Sequence, residues 1–198
     1  MNLPNKLSIL RMCMIPVFVV FFLLEGYVPY NYMISAIIFV LAAFTDFLDG
    51  QIARKYNLVT NFGKFLDPIA DKVLVATAYV LICLIPVPLK PVPSYLGQKL
   101  VAVAVAIILA RELIVSGFRM QAAARQIVLA ADKIGKAKTF CQDVSILVLL
   151  LSFDFPLFKG NVSVSNTIGL CFLGLATILT VVSGLNYIIK NKQVLKDE

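Results

Sequence analysis

The chain has 198 residues, 60% of them hydrophobic and 15% charged, with a formal net charge of +7 and a mean hydropathy of +0.91. That composition excludes an ordinary soluble domain and calls for several bilayer crossings, because the apolar runs recur near the roughly 20 residues needed to traverse a hydrocarbon core. No soluble basic segment exists to carry the positive charge, so it fits anionic lipid headgroups and gives no reason to expect a nucleic-acid partner.

In chain order, prolines, glycines and charged residues mark six predicted spans, near 7–25, 31–54, 62–86, 98–124, 137–154 and 166–190. The expectation is an all-α integral membrane protein with six transmembrane helices in a single domain over 1–198. The first run follows "MNLPNKLSILR" and lacks a small-residue cleavage site, so it reads as a retained helix. Lys90, Lys99 and Lys159 are the few cations in the connections after the first, third and fifth spans. Lys6, Arg11, Arg54, Lys55, Lys64, Lys72 and the later clusters at 111–138 and 190–196 fall on the opposite side. The positive-inside rule makes that side cytoplasmic, together with both termini. "PVPLKPVP", residues 86 to 93, is a stiff extended connection. Cys13, Cys83, Cys141 and Cys171 stand singly in apolar stretches and read as packing residues.

The second and third spans interrupt this pattern. "TDFLDGQIARKYNLVTNFGKFLDPIADK", residues 45 to 72, holds Asp46, Asp49, Asp67 and Asp71. Asp46 and Asp49 are three apart, Asp67 and Asp71 four apart, so each pair shares one face of its helix. Antiparallel spans joined near residues 55 to 61 would bring the pairs to one membrane depth. Each Asp costs roughly 2.5–3.5 kcal/mol at the centre of a membrane helix, less towards the interface. Four carboxylates brought together also repel unless cations hold them ionised. Two divalent ions would offset the charge, and an all-oxygen set in a chain without histidine favours Mg²⁺ or Mn²⁺. The plainer reading is helix capping or pairing with Arg54, Lys55, Lys64 and Lys72; it suits one aspartate better than four at paired spacings. Gly50, Ala53 and Gly63 leave room beside the carboxylates for a large ligand or for close helix packing, and Arg54 offers a fork suited to phosphate.

The pattern Asp46-x2-Asp49-Gly50-x2-Ala53-Arg54-x8-Gly63-x3-Asp67-x3-Asp71 resembles the complete signature of the CDP-alcohol phosphatidyltransferases. That resemblance implies a membrane enzyme that joins an alcohol to the phosphatidyl group of CDP-diacylglycerol and releases CMP. It implies Asp46, Asp49, Asp67 and Asp71 as metal ligands, with Asp71 also taking the proton of the attacking hydroxyl. Gly50, Ala53 and Arg54 would contact the CDP portion, with Thr60 and Gly63 as further contacts. It also implies a homodimer in a bacterial plasma membrane.

The stretches "LPNKLSILRMCMIP", residues 3 to 16, and "RELIVSGFRMQAAARQIVLAADKIGKAKT", residues 111 to 139, are similar to the branch of that family whose acceptor is glycerol 3-phosphate. The first adds Asn5 and Ser8 to the expected CDP-diacylglycerol site. The second offers Arg111, Arg119, Lys136 and Lys138 for the acceptor phosphate, although Lys- and Arg-rich interfacial helices also bind anionic lipid without catalysis. Glu112 could orient a neighbouring arginine. Inositol, inositol phosphate and serine remain alternative acceptors. Outside the enzyme class, intramembrane aspartates would also suit a divalent-cation transporter.

Overall fold

The computed structural model describes residues 3–55, 61–85, 94–124, 133–154 and 162–190. Among the described residues the regular structure is entirely helical, in six helices: α1 (Leu3–Leu23), α2 (Asn31–Lys55), α3 (Asn61–Ile82), α4 (Ser94–Ala124), α5 (Lys133–Asp154) and α6 (Val162–Lys190). α1, α2, α4 and α6 are each long and apolar enough to cross a membrane. α3 and α5 are not among those four: the apolar part of α3 is Lys72–Ile82, and α5 opens on Lys133, Lys136 and Lys138.

Four helices, α1, α4, α5 and α6, begin four residues ahead of the apolar runs that announce them in the sequence. Hydropathy detects the hydrocarbon-crossing part of a helix and misses a polar first turn in the headgroup layer. At the other end of α3 the helix stops at Ile82, short of the expected residue 86. There the bonds Leu84 N–H to Leu81 O and Ile85 N–H to Ile82 O tighten the backbone, and a helix is disfavoured immediately before Pro86.

α3 contacts α1, α2, α4 and α5, while α5 also packs on α2 and makes its most extensive contact with α6; α4 completes the bundle against α6. The approach of α6 to α5 depends on Gly169, where a Cβ would fall 2.7 Å from Leu149 Cγ. Large apolar side chains cover the outside, among them Val20, Leu41, Leu113, Ile178 and Leu185. Ser8, Ser35, Ser145, Ser152, Asn166 and Thr180 lie buried between helices. Ser145 Oγ bonds to Gln142 O and Ser152 Oγ to Leu149 O within their own helix, which lets these two small hydroxyls pack closely while satisfied. The cysteines divide: Cys141 is buried, Cys83 half-buried, and Cys13 and Cys171 lie on the outer surface, all as free thiols. The expectation of four packing cysteines therefore fails for Cys13 and Cys171, whose helix positions face outward.

One end of the α1–α2 pair is closed by capping. Gly26, at φ +82°, turns the chain after α1, a left-handed conformation that glycine adopts without Cβ strain. Asn31 Nδ2 donates to Phe22 O. The first amides of α2 are capped from far away, Asp154 Oδ2 accepting from Tyr32 N–H at 2.8 Å and Met33 N–H at 3.1 Å. Phe18, Phe22, Tyr32, Phe39 and Phe153 stack in tilted and edge-on contacts beside them.

Candidate active site

The opposite end of the α1–α2 pair is ionic. Asn5, Ser8 and Arg11 recur every third residue along the buried side of α1, at 7%, 0% and 0% exposure. α2 runs antiparallel and presents Thr45, Asp46 and Asp49. Arg11 Nη2 donates to Asp49 Oδ2 at 2.5 Å, and Nη1 forms an ion pair with Asp46 Oδ1 at 2.6 Å. Longer contacts of 3.5 Å run from Arg11 Nε to Thr45 Oγ1 and from Ser8 Oγ to Asp49 Oδ2. Asp49 is buried at 2% exposure, whereas the Asp46 side chain is 43% exposed. The i, i+3 spacing thus does place both carboxylates on one face, which looks towards α1.

Arg11 engages one named oxygen of each carboxylate, and the neighbouring donors are oxygens without thiolate or imidazole. That chemistry fits a hard divalent cation. Among the described residues no third acidic, histidine or cysteine side chain joins the pair. The signature's other carboxylates, Asp67 and Asp71, occupy α3, and Gly63 precedes them there; Ala53 and Arg54 follow Gly50 on α2. The side chains of these residues, and the whole of Thr60, lie outside the described residues.

A second polar interior opens between α3, α4 and α5. A cavity of about 190 Å³ is lined by Lys72, Glu112, Lys138, Thr139 and Gln142 together with apolar residues such as Ile108. Lys138 Nζ is paired with Glu112 Oε1, which also lies 3.5 Å from Arg111 Nη1. Lys72 Nζ donates to Ser116 Oγ, which in turn donates to Glu112 O. Gln142 is 3% exposed, yet its Nε2 has no hydrogen-bond partner. A buried amide donor left in this way is costly unless a ligand or water satisfies it.

The four cations expected for the acceptor phosphate separate. Lys138 lines the cavity. Arg111 stands beside Glu112 and donates to Ser183 Oγ on α6 at 2.9 Å; a Cβ on Gly184 would meet the Arg111 stem at 3.0 Å. Arg119, two turns on, donates to Tyr187 Oη and lies over its ring at 5.2 Å. Lys136 is exposed. From the sequence alone Gln142 has no role, Arg11 is a membrane-side charge within the stretch at 3–16, and Lys72 is such a charge or a pairing partner of the aspartates; the structure instead sets Lys72 against Ser116. Glu112, expected to orient a neighbouring arginine, lies 3.5 Å from Arg111 Nη1.

An all-helical membrane bundle with a paired-aspartate helix end and a separate basic cavity defines the class of protein. The chain belongs to the CDP-alcohol phosphatidyltransferase family, whose model matches residues 1–185. It is similar to proteins named CDP-diacylglycerol--glycerol-3-phosphate 3-phosphatidyltransferase in several bacteria. The protein of that name from Bacillus subtilis (strain 168) is 39% identical over 206 aligned residues, covering 98% of this chain and 97% of the relative. Those from Rickettsia bellii (strain RML369-C) and Salmonella typhimurium (strain LT2) are 40% and 38% identical, each covering 94% of this chain and 93% of the relative.

Proposed function

We propose that this chain is a phosphatidylglycerophosphate synthase, a single transmembrane catalytic domain that transfers the phosphatidyl group of CDP-diacylglycerol to glycerol 3-phosphate. The observation that carries the reading is near full-length similarity to proteins named for that reaction, joined to a complete eight-residue signature. The acceptor hydroxyl oxygen bonds to the phosphatidyl phosphorus as the bond from that phosphorus to CMP breaks. Asp71 takes the hydroxyl proton. Asp46, Asp49, Asp67 and Asp71 would hold two divalent ions, Mg²⁺ or Mn²⁺, which would supply charge neutralisation for the diphosphate and for the departing CMP. Asn5, Ser8, Gly50, Ala53, Arg54, Thr60 and Gly63 receive CDP-diacylglycerol.

The cavity between α3, α4 and α5 receives the acceptor. Its cationic surplus suits a phosphate, and its orphan amide donor suits a ligand oxygen. Lys138 is the principal contact there, with Lys72 and Arg111 beside it; Arg119, engaged with Tyr187, and the exposed Lys136 make weaker ones. The distribution of Lys and Arg supports an active site and termini on the cytoplasmic side of the bacterial plasma membrane, and the protein works as a homodimer.

The test is an acceptor panel on purified protein in detergent or nanodiscs. CMP release from CDP-diacylglycerol is expected only with glycerol 3-phosphate and a divalent ion, and it is expected to vanish in Asp71→Asn while the fold persists. Release that follows inositol, inositol phosphate or serine would reassign the acceptor, and metal flux into liposomes without lipid turnover would favour transport.

A further inference from the structure

Arg11 stands outside the signature, on the same face of α1 as Asn5 and Ser8, and among the described residues it is the cation that pairs with both aspartates. Its guanidinium has no exposed surface, and its fork bridges Asp46 Oδ1 and Asp49 Oδ2 across one turn of α2. Two carboxylates this close repel, and a fully buried guanidinium is tolerated only when paired. Each side of the contact therefore solves the other's problem, with no metal required.

We infer that Arg11 is a built-in counter-cation for the metal ligands: its fork holds Asp46 and Asp49 aligned and competes with a metal ion for their oxygens. The inference rests on the proposed role of the two aspartates as metal ligands. The planar fork is the reason for arginine, since a lysine ammonium is a point charge that cannot match two carboxylates at fixed separation. The location on α1 matters equally. A cation on α2 itself would move with the aspartates, whereas one on α1 also fastens the catalytic ends of two helices. A divalent ion sharing these carboxylates would meet the charge of Arg11, whose own side chain is wholly buried, so the repulsion is only partly screened on that side. Arg11 thereby keeps metal affinity moderate and gives the metal-free chain a stable fold. A plain structural staple would do only the second.

The experiment compares wild type, Arg11→Gln and Arg11→Lys by thermal melting without metal and by Mn²⁺ titration followed by electron paramagnetic resonance. In Arg11→Gln the metal-free midpoint is expected to fall by about 5 °C or more, because the buried Asp49 loses its ion pair with Arg11 beside a second carboxylate. Mn²⁺ is expected to bind about tenfold more tightly, because the competing charge is gone. Arg11→Lys should lie between, and it decides the question alone if Arg11→Gln does not accumulate. Unchanged or weaker Mn²⁺ binding in the variants would overturn the inference and leave Arg11 as a staple or an orienting group. Wild-type protein that binds no Mn²⁺, or an Asp49→Asn variant that binds it as wild type does, would instead refute the metal-site reading.

Discussion

The protein encloses two charge clusters with opposite surpluses. Among the described residues at the α1–α2 end, one cation, Arg11, faces two carboxylates, Asp46 and Asp49. Between α3, α4 and α5, Glu112 faces Lys138 and Arg111, with Lys72 close by. An acidic surplus among oxygen donors favours a cation, and a basic surplus around a cavity with an orphan amide favours an anion. α3 carries Lys72 to the cavity and holds Asp67 and Asp71 of the signature about two and three turns from its start.

The sharpest way to break the contrast is to remove the acidic surplus. Asp49→Asn keeps the shape and a hydrogen-bond acceptor for Arg11 but loses the charge, so turnover is expected to fall about 10²–10³-fold, as measured by CMP release at saturating substrates. The basic cluster should respond differently. Lys138→Ala is expected to raise the KM for glycerol 3-phosphate by about 10–100-fold, the worth of a charged hydrogen bond, while the KM for CDP-diacylglycerol stays the same. An equal loss for both substrates would mean that the clusters are not separate. The smallest effect belongs at the far end of α2. Asp154→Ala removes a helix cap at a cost of about 0.5–2 kcal/mol, seen as a lower melting midpoint with unchanged turnover per folded enzyme.

The acidic cluster was legible because its spacing is local. Three residues of helix place Asp46 and Asp49 on one face wherever the helix goes. Its partner was not legible: Arg11 is 38 residues from Asp49, and in the sequence it looks like any cation near a membrane boundary. The same applies to the cavity. Lys72, Glu112 and Gln142 come from three helices, and hydropathy is silent about which faces meet. Arg111 and Arg119 lie two turns apart on α4, and α6 decided their partners through Ser183 and Tyr187.

What the sequence determined by itself is the solvent, the number of helices, the carboxylate spacing and the signature, since each follows from composition or from periodicity within a single helix. What only the tertiary structure decided is the pairing of charges between helices: the fork of Arg11, the Asp154 cap on α2 and the cations around Glu112. The bilayer enforces helicity on every span through backbone hydrogen bonding, but it does not choose neighbours. That choice comes from close fits such as Gly169 on Leu149 and from the need of each buried charge to find its opposite.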